Sequence, residues 1–179
     1  MIALIIENLQ QADYLHVLLN PVPIYGLAMG TLALVIGFVM KSRAAQILAL
    51  WLVLVSALSA WPVYFYGQCA YHRVYIIADS DGQVWLDQHR RRAEQFIYAF
   101  YVLAAVALSA LVVPRKKPKT AWPLAVVVFA LSAATLAVAG SIAYPGGKIR
   151  HPEFRLEQDD ANDLDSRRSG AATSTDFSK

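Results

Sequence analysis

Four long apolar stretches dominate the sequence and constrain its fold more than any other feature. They cover residues 22–40, 44–65, 95–113 and 121–143, and none contains Asp, Glu, Lys or Arg. A helix of about 20 apolar residues spans the hydrocarbon core of a bilayer. Backbone groups in lipid must also be satisfied within the segment, which favours helices. The sequence therefore predicts an all-α, integral membrane four-helix bundle.

Composition agrees with this interpretation, because 57% of the 179 residues are hydrophobic and 16% are charged. A soluble domain usually has about 25% charged residues. Residues 1–20 mix apolar and polar side chains, which predicts an interfacial helix that ends at Pro21 and Pro23. Residues 155–179 are polar and predict a disordered tail. The four-helix domain then covers residues 21–154.

The connections between the stretches bear on orientation. The first holds Lys41 and Arg43, and the third, residues 114–119, holds four more basic residues and no acid. The middle connection, interpreted as a loop over residues 66–94, mixes basic and acidic residues. Basic residues in short connections mark the cytoplasmic side. We therefore expect a multi-pass protein of the bacterial cytoplasmic membrane with both termini outside, in contact with lipid and not with nucleic acid.

Small residues recur at four-residue spacing in two of the stretches. They are Gly26, Gly30, Ala33 and Gly37 in the first, and Ala133, Ala137 and Ser141 in the fourth. Such stripes let helices approach closely in a bilayer. Contacts within one bundle are favoured, while contacts in a homo-oligomer or with subunits of a larger membrane complex stay open.

Four crossings place all the histidines on one side of the membrane. His16 precedes the first stretch, His72 and His89 lie between the second and third, and His151 follows the fourth. Imidazole binds haem iron, copper and zinc, so a shared site near one surface is one interpretation. Ordinary exposed histidines are the other. No nucleophile elbow, phosphate-binding loop or intramembrane charge is present, so an enzyme or a transporter is not favoured.

Several short motifs resemble a family of bacterial four-helix membrane proteins with a domain of unknown function. The motifs are Leu15-His-Val-Leu-Leu-Asn20, Trp61-Pro-Val-Tyr-Phe-Tyr-Gly67, Asp87-Gln-His89 and Gly146-Gly-Lys-Ile-Arg-His151. The resemblance covers about residues 13–154, and members of this family are suspected of being b-type cytochromes. It implies His16, His89 and His151 as cofactor or metal ligands. The chain departs from the pattern at Pro21, where relatives carry a second histidine, and at Arg90, where they carry Glu.

Two functions follow as hypotheses. In the first, His16, His89 and His151 hold haem b or another redox metal such as copper near the outer face of the membrane. In the alternative, the chain is an accessory or structural subunit of a larger membrane complex and has no cofactor.

Overall fold

A computed structural model describes residue 7 and residues 9–155, and it confirms the all-α four-helix bundle. One short helix and four long ones follow each other along the chain: α1 (Ala12–Leu19), α2 (Pro21–Val39), α3 (Arg43–Ile77), α4 (Ser80–Val112) and α5 (Ala121–Lys148). The four long helices are apolar and long enough to cross a membrane. The chain is therefore a multi-pass membrane protein.

The segment interpreted as a middle loop is helical, which corrects the prediction for residues 66–94. Helix α3 continues to Ile77 and α4 begins at Ser80, so that only Ala78 and Asp79 connect them. The carboxylate of Asp79 starts α4 by accepting a hydrogen bond from the Gly82 amide at 2.9 Å. Hydropathy marks only the part of a helix that lies in lipid. The charged ends of these helices were therefore missed.

The bundle has two chemically different ends. The end that carries α1, the α3–α4 turn and the segment after α5 holds all four histidines and is called the histidine end. The opposite end carries residues 40–42 and residues 113–120, and is called the basic end. Two short 3-10 turns, Val113–Arg115 and Pro118–Thr120, connect α4 to α5 there.

Glycines allow α2 and α3 to approach closely within the bundle. A Cβ atom at Gly30 would lie 2.8 Å from Val53 Cγ2, and one at Gly37 would lie 3.1 Å from the Gln46 backbone nitrogen. The α2 stripe therefore packs inside the bundle, as predicted. The α5 stripe does not, because Ala133 and Ala137 are exposed. The buried face of α5 contains Ala125, Val128, Ser132, Thr135 and Ala139 instead.

Helix α1 packs on α3 at the histidine end. The backbone continues into α2 with a helical Asn20, whose amide donates to the His16 carbonyl at 2.9 Å. Pro21 occupies the first position of α2, where its missing N–H is tolerated. Of the predicted interfacial segment 1–20, the structure describes residue 7 and residues 9–20, and α1 covers Ala12–Leu19. The predicted tail lies outside the described residues, apart from Arg155, which binds Asp79 through a salt bridge of 2.7 Å.

Candidate two-histidine site

A cavity of about 800 Å³ lies at the histidine end of the bundle. Its walls come from α1, α3, α4, α5 and the segment after α5, and three of the four histidines line it: His16, His89 and His151. Gly67 of α3 lies about 36 Å along that helix from Arg43, at 1.5 Å per residue. That distance exceeds the roughly 30 Å of bilayer hydrocarbon, so a hydrocarbon layer that begins at Arg43 would end before the cavity.

His16 reaches from α1 to the backbone of α3. Its Nδ1 lies 2.8 Å from the carbonyl oxygen of Val63. A carbonyl only accepts hydrogen bonds, so Nδ1 carries the proton and the neutral ring keeps the lone pair on Nε2. The ring lies against Gly67, where a Cβ atom would be 2.9 Å from both Nδ1 and Cε1.

His89 repeats this arrangement between α4 and α5. Its Nδ1 donates to the carbonyl oxygen of Ile142 at 2.8 Å, and a Cβ atom at Gly146 would lie 3.0 Å from that nitrogen. In both helices the glycine follows the accepting carbonyl by four residues. A helical side chain covers the turn that precedes it, so glycine at this position leaves the carbonyl open to a second donor.

The two imidazoles lie next to each other at the cavity, in an edge-type contact. Their ring centroids are 6.1 Å apart and their planes are inclined by 77°. Since backbone carbonyls hold both Nδ1 atoms, each ring has Nε2 as its available metal-binding nitrogen. The structure thus brings together two of the three predicted ligands, His16 and His89.

The other two histidines lie apart from this pair. His151 is exposed at the cavity wall, where Nδ1 binds Glu153 at 2.7 Å and the ring stacks on Phe154. His72 is exposed on α3 and does not line the cavity. His151 is therefore part of the surroundings of the site and is not seated against a helix as the paired histidines are.

Two arginines also line the cavity, Arg90 and Arg150. Arg90 binds Glu94 at 2.8 Å, and its guanidinium lies 4.5 Å from the centre of the Tyr71 ring. Arg150 is exposed and forms no salt bridge with any residue that the structure describes. The cavity therefore offers guanidinium groups to an anionic substituent.

Arg92 supports the wall of the site next to His89. In a regular helix the carbonyl of Ser141 would accept a hydrogen bond from the N–H of residue 145, one turn later. Residue 145 is Pro and has no N–H, so this bond of α5 is missing. Arg92 donates to that carbonyl at 2.7 Å and replaces the missing bond. This contact joins α4 to α5 one residue before Ile142, which accepts from His89.

Gly67, Gly146 and the two carbonyls were not identified from the sequence as parts of the site. Both glycines lie in the motifs that carry the family resemblance, and this is the signal that could have found them. The role of these two glycines depends on which helix each histidine packs against. That packing is visible only in the folded structure.

Within residues 7 and 9–155, no group of three or more His, Cys, Asp or Glu side chains is arranged to hold a metal ion. Comparisons with protein-family models, curated proteins and solved structures found no match to this chain.

Proposed function

We propose that the chain binds one haem b between His16 and His89 and acts as a membrane-anchored electron carrier. The observation that carries this proposal is the distance of 6.1 Å between the two ring centroids. An imidazole nitrogen about 2.0 Å from a metal places its ring centre about 3 Å from that metal, so two rings on opposite sides are about 6 Å apart. The observed pair matches this spacing.

The number of ligands favours haem over a bare metal ion. Haem supplies four nitrogen ligands in its own plane, so the protein needs to provide only the axial ones. Copper is the alternative metal, but a copper ion between His16 and His89 would need further ligands beyond these two nitrogens. A cavity of about 800 Å³ gives space for a large planar group, which an ion would not require.

The cavity walls also suit the substituents of haem. Its two propionates are carboxylates, which guanidinium groups bind through paired hydrogen bonds. Arg150 is the residue that we assign to this role, with Arg90 as a second cation already held by Glu94. Gly67 and Gly146 allow the imidazoles to lie close to the helix backbones, where a Cβ atom would collide with them.

Haem, when bound, would supply one-electron exchange at its iron. The residues of the chain contribute orientation, because the Val63 and Ile142 carbonyls fix both rings before the cofactor enters. All four histidines of the sequence lie at the histidine end. Electrons would therefore enter and leave at one membrane surface.

The test is an absorption spectrum, with metal analysis, of protein purified from a haem-replete host. We expect a Soret band with about one haem per chain. His16→Ala and His89→Ala should each abolish or strongly reduce that band. His72→Ala and His151→Ala are matched controls that should retain it, since neither ring belongs to the His16–His89 pair.

Circular dichroism and gel filtration would confirm that each variant is folded. A colourless, metal-free wild-type protein would contradict the proposal and favour the accessory-subunit alternative. Retention of haem by both His16→Ala and His89→Ala would also contradict it, because the assigned ligands would then be wrong.

A further inference from the structure

Among the residues that the structure describes, no carboxylate lies at the basic end to balance its positive charge. Six cations lie in its two connections and at the first residue of α3: Lys41, Arg43, Arg115, Lys116, Lys117 and Lys119. Asp and Glu are absent from residues 14–78 and from residues 95–152, so every carboxylate belongs to the histidine end or to the terminal segments. A counterion for these cations must therefore come from outside the bundle.

Two of these cations border a small groove between α3 and the end of α4. The groove has a volume of about 190 Å³ and is lined by Arg43, Ile47, Trp51, Leu111, Pro114 and Arg115. Its two arginines lie at the membrane boundary of the helices, and the remaining lining is apolar. Ile47 and Trp51 are exposed on the outer surface of the bundle, where lipid chains lie.

The Arg43 guanidinium is oriented by neutral acceptors. It donates to Gln46 Oε1 at 3.3 Å and to the Ala110 carbonyl at 3.4 Å. Arg115 is exposed and has no salt bridge with a described residue. Two arginines thus line one groove, and no described carboxylate forms a salt bridge with either of them.

We propose that this groove binds the phosphate of an anionic phospholipid. Guanidinium pairs with phosphate through bidentate hydrogen bonds, and basic pockets between membrane helices hold lipid headgroups. The apolar part of the groove continues toward the bilayer, so it accommodates the start of an acyl chain. A free phosphate ion would use only the arginines, which is why the geometry favours a lipid.

Native mass spectrometry of the full chain tests this proposal. Protein loaded with equal amounts of phosphatidylglycerol and phosphatidylcholine should retain the anionic lipid preferentially. Arg115→Gln should lower its retention about fivefold, as expected for one basic residue at a membrane surface. Lys116→Gln removes the same charge from the same connection but does not line the groove, and should change retention less than about twofold.

Three results would overturn the proposal. Equal losses in Arg115→Gln and Lys116→Gln would indicate diffuse attraction by the basic end. Displacement of the lipid by millimolar inorganic phosphate would indicate a site for free anions. Equal retention of both lipids by the wild type would remove the preference for negative charge. Because Arg115 makes no salt bridge within the described chain, its substitution is not expected to unfold the protein.

Discussion

His16 and His89 are oriented by the same local arrangement, although they belong to different helices. In each case the ring rests on a glycine and Nδ1 donates to the carbonyl four residues before it. A metal-binding histidine commonly donates its second nitrogen to a carbonyl in this way, which fixes its tautomer and ring orientation. The repetition of this arrangement in two helix pairs suits a ligand bound symmetrically between the rings.

Gly67→Ala should weaken cofactor binding without unfolding the bundle. The added Cβ atom would lie 2.9 Å from His16 Nδ1, so the ring must move away from the Val63 carbonyl. We expect haem affinity to fall about 10-fold, a usual effect of losing such a supporting contact. Titration of the cofactor-free protein with haem measures this affinity.

Gly140→Ala is the matched control for this substitution. A Cβ atom at Gly140 meets nothing within 4 Å and Gly140 does not line the cavity, so haem affinity should remain that of the wild type. Equal haem affinity of Gly67→Ala and wild type would show that contact with Gly67 does not position His16.

The salt bridge between Asp79 and Arg155 gives a pH-dependent contact at the histidine end. The hydrogen bond from Arg155, followed by that from the Gly82 amide, lowers the pKa of the Asp79 carboxyl below its ordinary 3.8. Because the folded state lowers this pKa, the contact contributes fully above about pH 3.8 and is lost as the pH falls through the lowered value.

Amide hydrogen exchange at residues 80–86, corrected for intrinsic rates, measures this dependence. Protection at the start of α4 should persist at pH 5 and decrease well below pH 3.8. Asp79→Asn should show weaker protection already at pH 5. Protection in Asp79→Asn that equals the wild type at every pH would contradict this account.

Among the elements, α3 and α4 show where sequence reasoning succeeds and where it ends. Their lipid-embedded parts were predicted because apolar runs of that length have few alternatives. The parts of α3 and α4 that lie at the histidine end were not predicted, because Arg90, Glu94 and neighbouring charges interrupt the hydropathy pattern. A helical signal was nevertheless present, because Arg90 and Glu94 pair at i,i+4 spacing and Asp79 caps α4.

Gly30→Ala should destabilise the contact between α2 and α3. Its Cβ atom would lie 2.8 Å from Val53 Cγ2 and 3.1 Å from the Val53 backbone nitrogen, so the helices must separate slightly. Overpacking of this kind costs about 1–3 kcal/mol. Thermal unfolding in detergent should therefore show a lower midpoint.

Gly140→Ala provides the comparison for Gly30→Ala, because its Cβ atom meets nothing within 4 Å. A helix favours alanine over glycine by about 1 kcal/mol, so this variant should match or exceed the wild type in stability. If Gly30→Ala were as stable as Gly140→Ala, the close approach of α2 to α3 at Gly30 would be contradicted.

In the molecule as a whole, the histidines and the charged side chains are distributed unequally between the two ends of the bundle. Among the described residues, the histidine end holds the paired imidazoles and the carboxylates, whereas the charged side chains of the basic end are all cationic. That all histidines share one end followed from counting four crossings. The pairing of His16 with His89, and the separate position of His151, required the packing of α1 on α3 and of α4 on α5.

The charge distribution predicts that the basic end faces the cytoplasm. In a Cys69→Ser background, Ser80→Cys at the histidine end should react with a membrane-impermeant maleimide in intact cells. Lys116→Cys should react only after permeabilisation. The opposite labelling pattern would reverse the orientation, and labelling of both sites in intact cells would contradict the four-crossing topology.

The electron paramagnetic resonance spectrum of the ferric protein would show whether one iron lies between His16 and His89. We predict a low-spin signal from one iron per chain with two imidazole ligands, which His72→Ala and His151→Ala leave unchanged. A high-spin signal in the wild-type protein, or the absence of any iron signal, would contradict the proposed site.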